Sequence, residues 1–200
     1  MIDNIEYMFY YWGPYLFKSK LSKKYCEELL QKGKKTTVSA EKNLAGDLHK
    51  ENYFNSDDCV WFLDKTEKIF KTYISSSENY YGRKICKNLK LEKLWINFMK
   101  KGDFNPIHTH NHDISFVLFL QIPEKLKEEQ EKYPGTDNSG PGGLCFTYGE
   151  DINEFFTCQI NFKPEVGDFF IFPAKLKHLV NPFKSEGERI SVSGNIKLLK

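Results

Sequence analysis

Short apolar segments separated by turn signals fill the chain from residue 92 to residue 196, and no other feature limits the possible folds as strongly. Ser115 to Ile122 (SFVLFLQI) is apolar on both faces, which predicts a central strand covered on both sides. The other strands predicted here are Leu94 to Met99, Leu144 to Tyr148, Phe155 to Phe162, Asp168 to Phe172, Lys177 to Pro182 and Arg189 to Ile196. Short, regularly spaced strands that follow helices predict a jelly-roll barrel, in a fold that is mainly β with N-terminal helices (α+β).

Two helices are predicted ahead of the barrel, which they would buttress. Ser22 has the character of an N-cap for a helix that runs to about Lys32 and stops at Gly33. The aspartate pair at 57–58 opens a second helix, which ends in the serine run at 75–77. The buried stripe of this second helix is predicted to contain Trp61, Phe62, Ile69, Phe70 and Tyr73.

The rest of the chain is predicted to contain a first strand near Tyr15 to Lys18 and polar loops over 34–55 and 123–142. Aromatic residues make up 16% of the chain, which is enough apolar material for a substantial core. We expect one domain over 1–200, with a helical buttress and first strands in 1–91 and the jelly-roll catalytic core in 92–200.

Charge and cysteine content argue against several classes of protein. The 29 basic and 27 acidic residues are well mixed and give a net charge of +2, so neither a nucleic-acid surface nor a membrane anchor is expected. The N-terminus lacks a signal-peptide pattern, and no apolar run has membrane-spanning length. The five cysteines are scattered and contain no Cys-x-x-Cys pair, which favours free thiols in a reducing cytoplasm.

His108 and His110 form a His-x-His motif within Pro106-Ile-His-Thr-His. Side chains alternate along a strand, so two histidines at this spacing on a strand present their imidazoles to one point. Imidazole binds iron, zinc, copper or nickel, and the residue type alone therefore does not select the metal. The alternative interpretation is a polar strand end at which both histidines face solvent.

His178 is a candidate third ligand far along the chain. It follows a strongly apolar strand and a turn marked by Pro173, which would place it inside the mouth of a barrel. Three histidines can form one triangular face of a metal and leave open positions, which non-heme iron needs for a cosubstrate and oxygen. The alternative is a core histidine that hydrogen-bonds a backbone carbonyl.

Arg189 and Ser191 stand two residues apart and therefore share one face of a predicted strand. A buried arginine is costly without a partner, and a dicarboxylate is a natural one because guanidinium grips carboxylate through two hydrogen bonds. Ser191 could add a hydroxyl donor to the same carboxylate. The alternative is ordinary alternation, in which Arg189, Ser191, Ser193 and Asn195 face water.

Several short motifs occur together over residues 92–196. They are Trp95-Ile-Asn97, Gly102-Asp103-Phe104, His108-Thr-His110, Ser115-Phe-Val117, Gly167-Asp168-Phe169, Phe172-Pro173, His178 and Arg189-Ile-Ser191-Val-Ser193. As a set they resemble the 2-oxoglutarate- and Fe(II)-dependent dioxygenase superfamily, and in particular its branch of small oxygenase-like proteins from bacteria and tailed phages. Trp12-Gly13-Pro14 and Asn43-Leu44-Ala45-Gly46 resemble the phage members less specifically.

This resemblance implies a double-stranded β-helix with Fe(II), 2-oxoglutarate and O₂ as cofactor and cosubstrates. The implied iron ligands are His108, His110 and His178. The distal carboxylate of 2-oxoglutarate would bind Arg189 and Ser191, and Asn97 would hydrogen-bond the cosubstrate or the substrate. The implied activity is hydroxylation, in which oxidative decarboxylation of 2-oxoglutarate is coupled to oxidation of a substrate. Members act on proteins, nucleic-acid bases and small metabolites, so the substrate, like the oligomeric state, stays open; a phage-encoded protein would work in the host cytoplasm.

One position departs from the pattern of the superfamily. Most members have a carboxylate two residues after the first histidine, where this chain has His110. Three neutral imidazoles leave the charge of the iron unreduced, which could change its redox behaviour. Asp113 is a possible substitute carboxylate if the chain turns at Asn111, and His112 could replace His110 or lie behind it.

Two other functions are compatible with these residues. One is a non-catalytic jelly-roll protein, a structural or binding component of a phage, with zinc or no metal. The other is a cupin-type metalloenzyme that uses three histidines without 2-oxoglutarate, in which Arg189 would have no dicarboxylate to hold.

Overall fold

The structure is a computed structural model and describes residues 13–133, 139–149 and 158–199. Its helices are α1 (Lys23–Lys34), α2 (Ser56–Tyr81) and α3 (Glu124–Glu131), with a short 3-10 helix at Glu41–Asn43. Its strands are β1 (Phe17–Lys20), β2 (Val38–Ser39), β3 (Lys50–Tyr53), β4 (Asn88–Met99), β5 (Asn105–His108), β6 (Ile114–Gln121), β7 (Leu144–Thr147), β8 (Gln159–Phe162), β9 (Asp168–Pro173), β10 (Lys177–Val180) and β11 (Arg189–Leu199).

The strands form two antiparallel sheets that pack face to face. The larger sheet has seven strands in the order β1-β9-β6-β11-β4-β3-β2, and the smaller has four in the order β5-β10-β7-β8. Helices α1 and α2 cover the outer face of the larger sheet, where Leu29 and Phe62 belong to the same buried cluster as Phe116. The predicted fold class, a jelly-roll barrel of mainly β structure buttressed by two N-terminal helices, is confirmed.

Strand β6 separates two apolar cores, as its sequence predicts. It pairs with β9 on one side and with β11 on the other. Phe116 and Leu118 point towards the helices and belong to the outer core, whereas Phe119 faces the smaller sheet and belongs to the inner core. Because successive side chains of a strand point to opposite faces, a strand with both faces buried reads as an unbroken apolar run.

Helix α1 begins where the sequence predicts and ends later. The Ser22 side chain accepts a hydrogen bond from the backbone N–H of Tyr25 and caps the helix. Gly33 does not stop the helix; it lies in the last turn, where an added Cβ would come within 2.3 Å of Ile96 Cδ1. The glycine is needed for close packing of the helix against β4, so the prediction of a stop signal is wrong.

Helix α2 is also longer than predicted. Asn55 caps it, its side chain accepting from the N–H of Asp58, and it continues through the serine run to Gly82. The Ser77 hydroxyl donates to the carbonyl of Tyr73, which keeps a serine compatible with a helix interior. In the predicted stripe Phe62, Phe70 and Tyr73 are buried, and Trp61 and Ile69 are partly buried against the same core.

Both predicted loops contain regular structure. Within 34–55, β2 pairs with β3, and β3 extends the larger sheet by pairing with β4. Within 123–142, α3 buries Leu126 and Gln130, while residues 134–138 lie outside the described part of the chain. The predicted first strand is β1, which is displaced to Phe17–Lys20. Of the strand predicted from Phe155 to Phe162, the structure has β8 (Gln159–Phe162), and residues 155–157 lie outside the described part of the chain.

Two further predictions concern the whole chain. None of the helices in the described ranges combines the length and apolar character that crossing a membrane requires. All five cysteines fall in these ranges and carry free thiols.

Candidate metal centre and cosubstrate pocket

The smaller sheet brings the three predicted metal ligands together. His108 is the last residue of β5 and lies opposite His178 of β10 in the antiparallel register. His110 lies two residues beyond the end of β5, not within a strand, and its backbone N–H donates to the carbonyl of Ala174 at 2.8 Å. This hydrogen bond holds the segment after β5 against the turn that leads into β10.

The three imidazoles surround one point. Their ring centroids are 4.2 Å apart for His108 and His178, 5.1 Å for His108 and His110, and 5.2 Å for His110 and His178. One nitrogen from each ring lies within 4.8 Å of the other two. Three such nitrogens are the donor set that zinc, copper, nickel or iron accepts, so the geometry fits a transition metal.

Backbone carbonyls set the tautomers of two of these rings. Nδ1 of His108 is 2.7 Å from the carbonyl oxygen of Pro106, and Nδ1 of His178 is 2.9 Å from that of Leu176. A carbonyl oxygen only accepts, so each Nδ1 carries the hydrogen and donates it. The lone pair is left on Nε2 of each ring, which is the form that binds a metal.

Burial keeps all three histidines neutral near pH 7. It lowers the pKa of His178 to about 3 and that of His110 to about 4, with repulsion from neighbouring His108 as the next cause in both. Burial also lowers the pKa of His108. Metal binding therefore does not have to displace protons from these rings at neutral pH.

Arg189 is buried in the same cavity and forms no ion pair with any residue in the described ranges. Only 2% of its surface is exposed, so the interpretation in which it faces water is wrong. Its Nη1 donates to Met99 Sδ at 3.3 Å and its guanidinium carbon lies 4.7 Å from the centre of the Phe119 ring. Nε and Nη2 are buried with no hydrogen-bond partner among the described residues. Burial lowers the pKa of Arg189 to about 9, which leaves it charged at pH 7.

Asn97, Ser191 and Ser193 form a polar row beside the arginine. Asn97 on β4 lies opposite Ser191 on β11, and its Nδ2 donates to Ser191 Oγ at 3.3 Å and to Ser193 Oγ at 3.1 Å. Because the Ser191 oxygen accepts this hydrogen bond, its own hydrogen can be donated elsewhere. Ser191 and Asn97 are buried and line the cavity that contains the histidines.

The two alternatives to His110 as a metal ligand, Asp113 and His112, lie outside the histidine cluster. Asp113 is exposed, and its Oδ2 accepts from the backbone N–H of Leu198 at 2.8 Å. His112 is partly buried, and neither residue belongs to the converging cluster. Among the described residues, that cluster therefore contains no carboxylate. His49 also lies outside the cluster; it is exposed, and its Nε2 is 2.8 Å from Lys100 Nζ.

The cavity has a charged residue that sequence analysis missed. Glu51 of β3 lines it together with the three histidines and Arg189. Glu51 falls in the region predicted to be a polar loop, and the sequence KENY has no apolar alternation that would reveal a strand. The other lining residues are Leu44, Ala45, Leu48, Trp95, Asn97, Met99, Asn105, Val117, Leu144, Phe172, Val180, Ser191 and Ser193.

Comparison with solved structures shows the same fold in 2-oxoglutarate oxygenases. The viral collagen prolyl hydroxylase of Paramecium Bursaria Chlorella virus-1, solved with 2OG, has a TM-score of 0.59 at 18% identity, covering 92% of this chain and 96% of that one. The prolyl-4-hydroxylase of Pseudomonas putida has a TM-score of 0.60 at 13% identity, covering 94% of each chain. HygX of Streptomyces hygroscopicus, solved with nickel, 2-oxoglutarate and hygromycin B, has a TM-score of 0.61 at 9% identity, covering 92% and 83%.

Sequence comparison identifies the family. No curated protein matches the chain. The family model described as "Putative 2OG-Fe(II) oxygenase" matches residues 93–195, which run from β4 to β11 and include the three histidines and Arg189. Members of this family use Fe(II), 2-oxoglutarate and O₂. The chain therefore belongs to the 2OG-Fe(II) oxygenase family and is an oxidoreductase of that class.

Proposed function

We propose that this oxygenase is a hydroxylase whose Fe(II) is held by His108, His110 and His178. The three nitrogens converge on one point, and two of the rings are fixed as the metal-binding tautomer by backbone carbonyls. When bound there, Fe(II) would supply the redox chemistry that couples decarboxylation of 2-oxoglutarate by O₂ to oxidation of the substrate. The protein contributes the positions of the groups that would hold the iron and the keto acid.

Arg189 would bind the distal carboxylate of 2-oxoglutarate. Its free Nε and Nη2 are two parallel donors, the arrangement that matches the two oxygens of a carboxylate. The carboxylate would also offset the cost of burying the guanidinium. Ser191 would add a third donor through its hydroxyl hydrogen.

Asn97 would act on the cosubstrate through Ser191. Its amide nitrogen already donates to the hydroxyl oxygens of Ser191 and Ser193, which orients the Ser191 hydrogen towards the cavity. This makes Asn97 a positioning residue, and its direct contact with 2-oxoglutarate is not needed for the role.

One observation supports the use of 2-oxoglutarate above all others. The Arg189 guanidinium, two of whose donors have no partner among the described residues, lies in the cavity that contains the histidine cluster. A buried arginine without a partner destabilises the protein that contains it. A buried arginine near the metal site would bring no benefit to a cupin-type enzyme that does not use 2-oxoglutarate. The same holds for a structural jelly-roll protein.

Anaerobic titration with Fe(II), with and without 2-oxoglutarate, tests the proposal. We expect a weak visible charge-transfer band that requires both components, and succinate once oxygen is admitted. A cupin-type enzyme would bind Fe(II) without the band. A structural protein would show neither the band nor oxygen-dependent turnover, and either outcome would overturn the use of 2-oxoglutarate.

A further inference from the structure

Glu51 lies on the inner face of the larger sheet, in the row that contains the polar residues of the pocket. In the register of β3 and β4 it is opposite Asn97, and Asn97 is opposite Ser191 on β11. Residues opposite each other in a sheet point to the same face, so the Glu51 carboxyl and the Ser191 hydroxyl project into one cavity. Glu51 therefore belongs to the candidate active site by position.

The Glu51 carboxyl has no partner among the residues that the structure describes. Glu51 is 2% exposed, yet no hydrogen bond or ion pair within the described residues includes its carboxyl. Its neighbour Lys50 is on the opposite face of the strand, where Nζ lies 5.3 Å from the centre of the Phe98 ring. A buried carboxyl without a cation or donors is unusual because ionised groups are costly to remove from water.

Neither Arg189 nor the histidine cluster pairs with the Glu51 carboxyl. Arg189 lines the same cavity but forms no ion pair with Glu51, and its Nε and Nη2 have no partner in the described part of the chain. The converging histidine cluster does not include Glu51, so the carboxyl does not replace the carboxylate ligand that the cluster lacks. One cavity therefore presents a free cation and a free carboxyl at separate places.

The surroundings of Glu51 suit a cation. Burial, with repulsion from exposed Glu41 as the second cause, raises the pKa of the Glu51 carboxyl to about 7. A bound cation would oppose both effects, because a nearby positive charge stabilises the ionised carboxylate. Trp95 lies in the next row of the same sheet and lines the cavity, and the face of an indole ring also attracts cations.

We propose that Glu51 binds a positively charged nitrogen of the substrate, an ammonium or a guanidinium group, and so selects basic substrates. The inference rests on the proposed function, in which Arg189 takes the acidic cosubstrate and leaves Glu51 for the substrate. The opposite charges of Arg189 and Glu51 would also orient the two ligands. Arg189 attracts the carboxylate of 2-oxoglutarate and repels a cationic substrate, and Glu51 does the reverse.

Binding of two small probes of equal length tests the proposal without turnover. The zinc-loaded, ¹⁵N-labelled protein is titrated at about pH 8 with n-butylammonium and with n-butanol, with and without 2-oxoglutarate, and amide shifts near Glu51 and Asn97 are followed. We expect n-butylammonium to bind at least about tenfold more tightly than n-butanol. Glu51→Gln removes the charge at nearly constant shape and should abolish the preference while leaving the affinity for n-butanol unchanged.

Glu41→Gln is the matched control, since Glu41 is an exposed carboxylate near Glu51. It should keep the preference for the ammonium. Equal affinity of the wild-type protein for both probes, a preference that survives in Glu51→Gln, or an equal loss in Glu41→Gln would each overturn the assignment. Failure of 2-oxoglutarate to bind the same wild-type sample would instead refute the proposed cosubstrate, and the probe comparison without 2-oxoglutarate would still decide the role of Glu51.

Discussion

His108 and His178 lie opposite each other in the β5–β10 pair, with their ring centroids 4.2 Å apart. Two protonated imidazoles at this distance would repel strongly, and burial adds to the cost of charge on either ring. The arrangement is therefore stable with both rings neutral, and a cation shared between their Nε2 atoms would stabilise it further.

Replacing His178 with alanine should abolish tight metal binding and leave the fold intact. The change removes one of three converging nitrogens, and two imidazoles hold Fe(II) or Zn(II) much more weakly than three. Metal content after dialysis should fall from about one ion per chain to almost none, with an unchanged circular dichroism spectrum. His49→Ala, at an exposed histidine outside the cluster, should keep full metal content. Retained stoichiometry in His178→Ala would exclude His178 as a ligand.

Replacing Arg189 with methionine should weaken 2-oxoglutarate binding without weakening metal binding. Loss of two charge-assisted hydrogen bonds, each worth about 1.5–3 kcal/mol, corresponds to a dissociation constant higher by roughly 10²- to 10⁴-fold. Because the guanidinium is buried and unpaired, the ligand-free variant should be at least as stable as the wild-type protein. Calorimetric titration of the zinc-loaded proteins and urea unfolding give both quantities. Lys197→Met, at an exposed position of the same strand, is the control; equal 2-oxoglutarate affinity in Arg189→Met and wild type would contradict the assignment.

The metal-free protein should lose stability as the pH falls below neutrality. Burial lowers the pKa of His178 from 6.5 to about 3, so below pH 6.5 the unfolded chain binds a proton that the folded protein does not. Between pH 7 and pH 5 this one histidine should lower the free energy of unfolding by roughly 2 kcal/mol. Urea denaturation at the two pH values measures the difference. His178→Ala should show a correspondingly smaller loss, and an identical pH dependence in both proteins would argue against a buried neutral His178.

Phe116 should be among the most important residues for stability. It is 1% exposed, its ring stacks on Phe62 with centroids 5.2 Å apart, and it also contacts Phe70 and Phe169. Phe116→Ala removes the ring contacts of the sheet with Phe62 and Phe70 of α2 and should cost about 3–5 kcal/mol of unfolding free energy. Val60→Ala, on the exposed side of α2, should cost under about 0.5 kcal/mol. Similar urea midpoints for the two variants would show that α2 does not buttress the sheet.

The sequence predicts the barrel well because its strands are short, apolar and regularly spaced. Ser115 to Ile122 is apolar on both faces, and the structure buries one face in the outer core and the other in the inner core. Alternation places Arg189 and Ser191 on one face, and the structure buries both. What one strand cannot reveal is which other strands face it, so the choice between a buried and an exposed Arg189 depends on tertiary packing.

The failure to predict β3, α3 and the role of Glu51 has a common physical cause. Strand β3 and helix α3 are polar segments whose structure depends on contacts with distant residues: β3 on pairing with β4, α3 on burial of Leu126. Their own residues lack the periodicity that defines a strand or a helix. Glu51 was missed for this reason, since a glutamate in a polar segment resembles any solvated charge until its strand joins the sheet.

His108 and His178 belong to the smaller sheet and His110 follows its strand β5, whereas Arg189, Ser191 and Asn97 belong to the larger sheet. A small separation of the two sheets would therefore leave the ion in its place while taking the guanidinium out of reach of the keto acid. Iron binding therefore depends mainly on the structure of the smaller sheet. Binding of 2-oxoglutarate depends in addition on how closely the two sheets pack together. Mutations that loosen the inner core between the sheets should weaken the affinity for 2-oxoglutarate more than the affinity for iron.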